Sequence, residues 1–151
     1  MIDTSALQLS HFKSQMTELF SFEDLPDTLQ VSVVSFGFKH GIPLDVDTVF
    51  DVRFIPNPHY DEQLRPLSGK DEPVRRFVLD QPATREFLDQ VEALFQSLIP
   101  AYRNEGKSYL TIAVGCTGGR HRSVAIAEAL SQRLANRGVS ARVAHRDIEK
   151  N

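Results

Sequence analysis

The sequence predicts an α/β domain with a mostly parallel sheet flanked by helices and a ligand site at the carboxyl ends of the strands. Segments of strand type alternate with segments of helical periodicity, which favours parallel strands joined by right-handed crossovers. Residues 110–114 are apolar and β-favouring, as in a strand buried on both faces, and a glycine-rich turn follows them. Ligands of such sheets bind beyond the carboxyl ends of the strands.

The composition fits one globular domain with a core of ordinary size. The 151 residues are 41% hydrophobic and 25% charged, with a formal net charge of −3. This balance does not attract nucleic acid, so an RNA-binding role would need a local basic patch. A single cysteine excludes an internal disulfide framework. The sequence contains neither a signal peptide nor a membrane-spanning apolar run, so we expect a cytoplasmic protein without membrane contact.

The amino-terminal part is predicted to be a linker with one short helix. Ser10 is a suitable N-cap for that helix. Four apolar residues then recur on one helical face: Phe12, Met16, Leu19 and Phe20. A turn around Pro26 follows. We therefore divide the chain into a linker over 1–27 and a main domain over 28–151.

The main domain is predicted to begin with two strands, each followed by a loop that carries polar side chains. Residues 31–36 have the pattern of the first strand, and Lys39 lies in the loop after it. Residues 48–54 have the pattern of the second strand, and a proline-rich run that contains Asn57 and His59 ends it. We expect these three side chains to share one edge of the sheet with the glycine-rich turn.

A long connecting stretch and a long helix come next. Residues 60–82 combine several prolines with many charges and are too long for a simple connector, so they are a candidate lid or partner loop. A short helix is predicted within this stretch, over 71–79. Apolar residues at three- and four-residue spacing predict a longer helix over 84–103, with Pro100 as a point where it kinks or ends.

One helix and one strand are predicted after the glycine-rich turn. The helix spans about 123–137, with apolar residues on its inner face and Gly138 as its C-cap. Residues 139–144 then form the last strand. The order of elements thus places the glycine-rich turn between a buried strand and a helix start.

The glycine-rich turn has the composition of an anion-binding cradle. Gly115, Gly118 and Gly119 let the backbone turn tightly and approach a ligand. Free N–H groups and the positive end of the helix dipole point into such a turn. Three basic side chains follow at once: Arg120, His121 and Arg122. A phosphate group is the natural ligand of this arrangement.

The same turn also has the spacing of a cysteine-dependent phosphatase. Cys116 and Arg122 form a C-x5-R pattern that is followed by Ser123. One short loop can then hold a thiolate beneath a phosphorus atom while N–H groups and an arginine bind its oxygens. Such an enzyme needs a general acid, for which Asp61 or Asp71 are candidates. A third interpretation makes the cysteine a small buried residue in a plain strand-to-helix turn.

Metal and nucleotide sites are not predicted. The five histidines are scattered along the chain and show no paired ligand spacing, so we expect no metal. A Walker A loop is absent, because Gly119 is followed by Arg-His-Arg where that motif requires Lys and then Ser or Thr. We expect no cofactor.

Residues 115–123, Gly-Cys-Thr-Gly-Gly-Arg-His-Arg-Ser, resemble the hallmark of the RapZ family. Segments 35–43, 51–60 and 64–69 are similar to the C-terminal domain of that family, in the expected order. RapZ proteins are RNase adapters with an N-terminal P-loop nucleotide-binding domain, and residues 2–5 resemble the junction between the two domains. The resemblance implies that this chain is the C-terminal domain, excised or standing alone, without its N-terminal partner domain.

The resemblance implies a non-catalytic sensor. The family's C-terminal domain binds glucosamine-6-phosphate and regulatory small RNA, presents the RNA to an endoribonuclease, and forms oligomers. The residues that match the family's phosphosugar pocket are Lys39, Asn57, His59, Cys116, Thr117, Gly118, Gly119, Arg120, His121, Arg122 and Ser123. In this interpretation the arginines hold the phosphate, and Asn57 or His59 contacts the sugar.

The predicted RNA contacts lie near the carboxyl end. The basic residues from position 139 onward are Arg142, His145, Arg146 and Lys150. RNA-binding members of the family carry a strongly basic tail, from which this sequence departs at 149–151. Because each phosphate contact adds affinity, we expect sugar-phosphate sensing with weak RNA binding.

Overall fold

The computed structural model describes residues 29–150, so the predicted linker and helix over 1–27 lie outside the described part of the chain. The strands are β1 (Gln30–Gly37), β2 (Thr48–Asp51), β3 (Tyr109–Cys116) and β4 (Ala141–His145). The helices are α1 (Glu72–Leu79), α2 (Pro82–Glu105) and α3 (Arg122–Asn136). Single 3-10 turns follow β1 at Phe38–His40 and the β2 region at Pro58–Tyr60.

The four strands form one parallel sheet in the order β2-β3-β1-β4. This confirms the predicted α/β class. β1 and β3 are the central strands, and Gly37 at the end of β1 pairs with Cys116 at the end of β3. The loops that leave these two strands therefore begin side by side, at the edge where the sequence predicts a ligand site.

The core lies between the sheet and the helices. α3 packs on β1, β3 and β4, while α1 and α2 pack against α3. The largest wholly buried side chains that fill this layer include Phe95, Leu110, Ile112, Ile126, Leu130 and Leu134. Burial of a side chain of this size stabilises the fold by about 1.5–3 kcal/mol, so this layer fixes the position of the loops above it.

The second strand is shorter than predicted. The pattern over 48–54 predicted a strand throughout, but β2 ends at Asp51. The Asp51 carboxylate accepts hydrogen bonds from the backbone N–H of Arg53 at 2.9 Å and from the Arg53 guanidinium, which bends the chain out of the ladder. Phe54 is consequently exposed, while Ile55 turns into the core.

The second helix is longer than predicted. Pro100 does not end it early, because α2 continues to Glu105. The buried stripe that includes Phe95 and Ile99 holds the helix across the missing proline N–H. Gly106, with φ of 86°, then caps the helix by donating to the Arg103 carbonyl at 3.0 Å.

The other elements agree with the prediction to within a few residues. The short helix predicted over 71–79 is α1, and the predicted helix over 123–137 is α3. The C-cap of α3 is Arg137, and Gly138 follows it with φ of 81°. The last strand begins at Ala141, two residues later than predicted. None of the helices in the described range 29–150 is both long and apolar enough to cross a membrane.

Candidate anion-binding site

The cradle is the five-residue loop 117–121 between the end of β3 and the start of α3. It packs backbone against backbone on the end of β1. Gly119 has φ of 79°, and a Cβ on it would lie 2.5 Å from the Gly37 nitrogen. A Cβ on Gly37 would in turn lie 2.4 Å from the Gly118 carbonyl carbon. Both positions therefore require glycine, because the two backbones leave no room for a side chain.

A cavity of about 240 Å³ opens above the cradle. It is lined by Lys39, Asn57, His59, Tyr60, Cys116, Thr117, Gly118, Arg120, His121 and Arg122. The structure thus brings together the side chains that follow β1, β2 and β3. Two predicted site residues lie outside this lining, since Gly119 packs against Gly37 and Ser123 is wholly buried at the start of α3.

Tyr60 lines the cavity but was not predicted from the sequence. Its signal is only its position, directly after His59 in the 3-10 turn. A lone tyrosine in a proline-rich stretch is ordinarily an exposed loop residue, so the sequence pattern gave no reason to select it.

Cys116 forms the floor of the cavity as a buried thiol. Its side chain is 3% exposed. The sulfur accepts a hydrogen bond from the Gly119 N–H at 3.3 Å, and the thiol donates to Ser123 Oγ at 3.1 Å. Ser123, which follows the C-x5-R pattern in the sequence, therefore contacts the thiol from a buried position at the start of α3.

Arg122 is buried and ties the cradle to the loop that follows β2. Its Nη1 donates to the carbonyl oxygens of Arg53 and Ile55, both at 2.9 Å. Its Nη2 donates to Thr117 Oγ1 at 3.2 Å, and its Nε is buried without a hydrogen-bond partner in the described residues. Buried hydrogen-bond donors almost always have an acceptor. The unpaired Nε of Arg122 is therefore a donor left for a ligand at the wall of the cavity.

The Arg120 side chain is bound to backbone carbonyl oxygens. Its guanidinium donates to the carbonyl oxygens of Pro66 at 2.7 Å, Leu67 at 3.0 Å and Ile148 at 3.0 Å. These bonds join the cradle to the loop before α1 and to the carboxyl-terminal segment. Arg120 contributes its charge to the cavity wall, but its three nitrogens are already used in these contacts.

His121 does not carry the positive charge expected from the sequence. The ring is buried, and this burial, together with the Arg120 charge, lowers its pKa against the raising effect of the Arg65 carbonyl. The imidazole is therefore neutral near pH 7. Its Nε2 lies 3.1 Å from the Arg65 carbonyl, and because a carbonyl only accepts, Nε2 carries the hydrogen.

We expect His121 to make the domain less stable in mild acid. His121 has a pKa of about 6.5 in the unfolded chain, above its lowered pKa in the folded state, so the unfolded chain binds more protons as the pH falls through this range. The free energy of unfolding should fall as the pH drops from 7 to 5, and His121→Gln should flatten this fall. Urea unfolding at both pH values measures it. Equal slopes for both proteins would refute this assignment.

The remaining predicted ligand residues surround the cradle. Lys39 is exposed, and its backbone N–H donates to the Thr117 carbonyl at 3.2 Å. The Asn57 side chain accepts from the backbone N–H of His59 at 3.0 Å, so its oxygen is partly occupied in shaping the turn. The His59 ring lies 6.4 Å from the His121 ring. Lys39 is thus the most accessible cation beside the cavity.

Asp147 holds the carboxyl-terminal segment against the cradle and was not predicted. The carboxylate is wholly buried and accepts from the Gly37 N–H at 2.8 Å. It also pairs with Arg146 at 2.7 Å and Lys150 at 2.9 Å. Burial alone would raise the pKa of Asp147, but hydrogen bonds from Arg146, Gly37 and Lys150 hold that pKa well below its usual value.

Three of the four residues predicted to bind RNA make intramolecular contacts. Arg146 and Lys150 pair with Asp147. His145 lies between Ser35 Oγ at 2.7 Å and Glu128 Oε2 at 2.6 Å. Arg142 is exposed on the edge strand β4. These four side chains do not line the 240 Å³ cavity, and their RNA contact stays a prediction.

The two candidate general acids lie away from the cavity lining. Asp61 accepts from the Gln63 N–H at 2.8 Å, and Asp71 accepts from the Ser68 N–H at 2.8 Å at the start of α1. Both carboxylates therefore shape loops. Within 29–150 no group of three or more His, Cys, Asp or Glu side chains could hold a metal ion.

The sequence of this domain has counterparts among known proteins. Residues 29–149 match the family model described as the RapZ C-terminal domain. This chain belongs to the RapZ C-terminal domain family. The family model and the described residues of the structure cover almost the same range.

Curated relatives are about half identical to this chain over nearly its whole length. Nucleotide-binding proteins of Trichlorobacter lovleyi and Rubrobacter xylanophilus are 55% and 54% identical to it, each over 99% of this chain and over 53% and 50% of their own length. A nucleotide-binding protein of Desulforudis audaxviator is 49% identical over 98% of this chain and 50% of its own length. The chain spans about half the length of these relatives. The name nucleotide-binding protein therefore belongs to proteins about twice as long as this chain.

Proposed function

We propose that this RapZ-family domain is a regulatory sensor that binds glucosamine-6-phosphate in the 240 Å³ cavity. The observation that carries the proposal is the convergence of Lys39, Asn57, His59 and the cradle on one cavity. N–H groups of the loop, the Lys39 ammonium and the spare donors of Arg122 suit a phosphate group. The neutral His121 and the Asn57 amide suit the hydroxyl and amino groups of a sugar.

The contacts of the carboxyl-terminal segment supply a route for regulation. Arg120 in the cradle donates to the Ile148 carbonyl, and Asp147 accepts from Gly37 at the edge of the same cradle. A ligand that binds one arrangement of these contacts more tightly would shift the population of the segment. We propose that this shift controls binding of small RNA and its presentation to an endoribonuclease, within an oligomer and together with the N-terminal P-loop domain that precedes this domain in RapZ proteins.

Calorimetric titration combined with a phosphate-release assay tests the sensor proposal. The domain should bind glucosamine-6-phosphate more tightly than either glucosamine or inorganic phosphate, because the cavity offers partners to both halves of the ligand. No phosphate should be released from the bound ligand. Binding of none of the three compounds would refute the proposal.

A cysteine phosphatase is the second candidate. It is favoured by the position of the Cys116 sulfur, which accepts from the Gly119 N–H and contacts Ser123 Oγ at the base of the cradle. The positions of Asp61 and Asp71, away from the cavity lining, provide no acid for it. Release of phosphate that Cys116→Ser abolishes, while binding persists, would establish this activity in place of the sensor.

Lys39→Ala should weaken binding of glucosamine-6-phosphate by about tenfold or more. Lys39 is exposed beside the cavity, and a hydrogen bond to a charged group contributes about 1.5–3 kcal/mol. Lys70→Ala is the matched control, because Lys70 is an exposed lysine on a different cavity. Equal affinity of the Lys39 variant and the wild type, measured by calorimetry, would exclude Lys39 from the site.

A further inference from the structure

Tyr60 occupies the rim of the anion cavity as an aromatic side chain held out in solvent. It is 81% exposed and lines the same cavity as Lys39 and Cys116. An exposed aromatic ring is common on a protein surface and indicates nothing alone. What requires an explanation is its place beside the charged and hydrogen-bonding side chains of this cavity.

The turn that carries Tyr60 is fixed by several hydrogen bonds. The backbone N–H of Tyr60 donates to the Asn57 carbonyl at 3.2 Å, and the His59 N–H donates to the Asn57 side chain. The Arg65 guanidinium donates to the His59 carbonyl at 2.7 Å, and Pro58 is buried beneath the turn. The ring is therefore presented by a preorganised backbone, which lowers the entropic cost of using it in binding.

Tyr60 is one of three neighbouring rings that line the cavity, and these rings meet edge to face. Its ring centroid lies 6.3 Å from that of His59, which lies 6.4 Å from that of His121. The cradle and Arg122 supply donors for an anion, while Tyr60 supplies an exposed aromatic ring beside them. A phosphate alone would use only the donors. The exposed ring of Tyr60 beside these donors therefore suits a ligand with a ring attached to its phosphate.

We propose that Tyr60 is a specificity-determining residue that packs its ring against the carbon-bearing face of a phosphorylated sugar. This inference rests on the proposed function, since it assumes that the phosphate lies in the cradle. The sugar ring has an apolar face between its polar hydroxyls, and tyrosine matches it with a large, rigid, amphipathic surface. Tyr60 thereby selects cyclic phosphosugars over short phosphorylated compounds.

The test compares two phosphate esters on three proteins by calorimetry. The ligands are glucosamine-6-phosphate, which has a ring, and glycerol 3-phosphate, which has none. The proteins are the wild-type chain, Tyr60→Ala and the matched control Tyr60→Phe, which keeps the ring and loses the hydroxyl. Because Tyr60 is exposed, its replacement leaves the core intact, and urea unfolding verifies this for each variant.

We expect Tyr60→Ala to weaken glucosamine-6-phosphate binding about tenfold and to change glycerol 3-phosphate binding less than about twofold. Tyr60→Phe should stay close to the wild type for both ligands. Two outcomes would overturn the role of Tyr60 and leave the proposed function intact. One is unchanged binding of glucosamine-6-phosphate by Tyr60→Ala, and the other is an equal loss of affinity for both ligands. A wild-type chain that binds neither ester would overturn both.

Discussion

Asp147→Ala is expected to lower the free energy of unfolding by about 3–5 kcal/mol, the usual effect of breaking a buried ion pair by removing one partner. The Asp147 carboxylate is wholly buried and serves three donors: the Gly37 N–H, Arg146 and Lys150. Removing it leaves the buried Gly37 N–H without an acceptor and breaks one of the contacts that hold the carboxyl-terminal segment beside the cradle. Urea unfolding at pH 7 measures this loss.

The pH dependence of stability separates the effect of the Asp147 charge from that of its hydrogen-bond acceptor. Its pKa in the folded protein is lower than in the unfolded chain, so its stabilisation is fully present above the unfolded value of about 3.9. It is lost as the pH falls below that value toward the folded pKa. Asp147→Asn keeps an acceptor for Gly37 but has no charge to titrate, so its stability should fall less between pH 5 and pH 3. A fall as steep as that of the wild type would contradict this role.

Arg122→Ala should have the largest effect on ligand binding. Loss of one charge-assisted contact costs about 1.5–3 kcal/mol, or about 10- to 150-fold in affinity for glucosamine-6-phosphate. The substitution should also destabilise the domain, because the carbonyl oxygens of Arg53 and Ile55 lose their donor. Calorimetry under conditions where urea unfolding shows the variant to be folded separates the two effects.

Two controls make the Arg122 result specific. Arg122→Lys keeps a positive charge but cannot reach two carbonyls and Thr117 at once, so it should bind more weakly than the wild type. Arg76→Ala removes an exposed arginine of α1 that pairs with Glu72, and it should bind normally. Full affinity in folded Arg122→Ala would remove Arg122 from the site.

The sequence predicted best the elements in which buried apolar residues recur along the chain. The apolar residues of α2 recur at helical spacing because one face packs on the core, and β3 is apolar from Ile112 to Val114 because its side chains there are buried on both faces. The carboxyl end of β2 was less predictable. Its pattern continued to Phe54, but the Asp51 side chain bends the chain first, and this local hydrogen bond leaves no trace in the apolar pattern.

Part of the site could also be predicted, because parallel strands end at a common edge. This rule placed Lys39 and His59 beside the cradle, and both line the cavity. The roles of the basic residues could not be predicted in this way. Arg120 and Arg122 follow the same glycines, yet the acceptors of Arg120 include carbonyl oxygens 53 and 54 residues away. Asp147 meets Gly37 across 110 residues, a contact that depends on the completed sheet.

Chemical-shift mapping of the backbone amides with glucosamine-6-phosphate tests the location of the site most directly. Shifts are expected at Gly118 and the other cradle amides, and at Lys39 and His59 around the same cavity. A second cavity of about 440 Å³ lies on the β4 side of Arg120 and includes Val143 and Ala144, whose amides should not shift. Shifts confined to that second cavity, or no shifts at saturating ligand, would contradict the account.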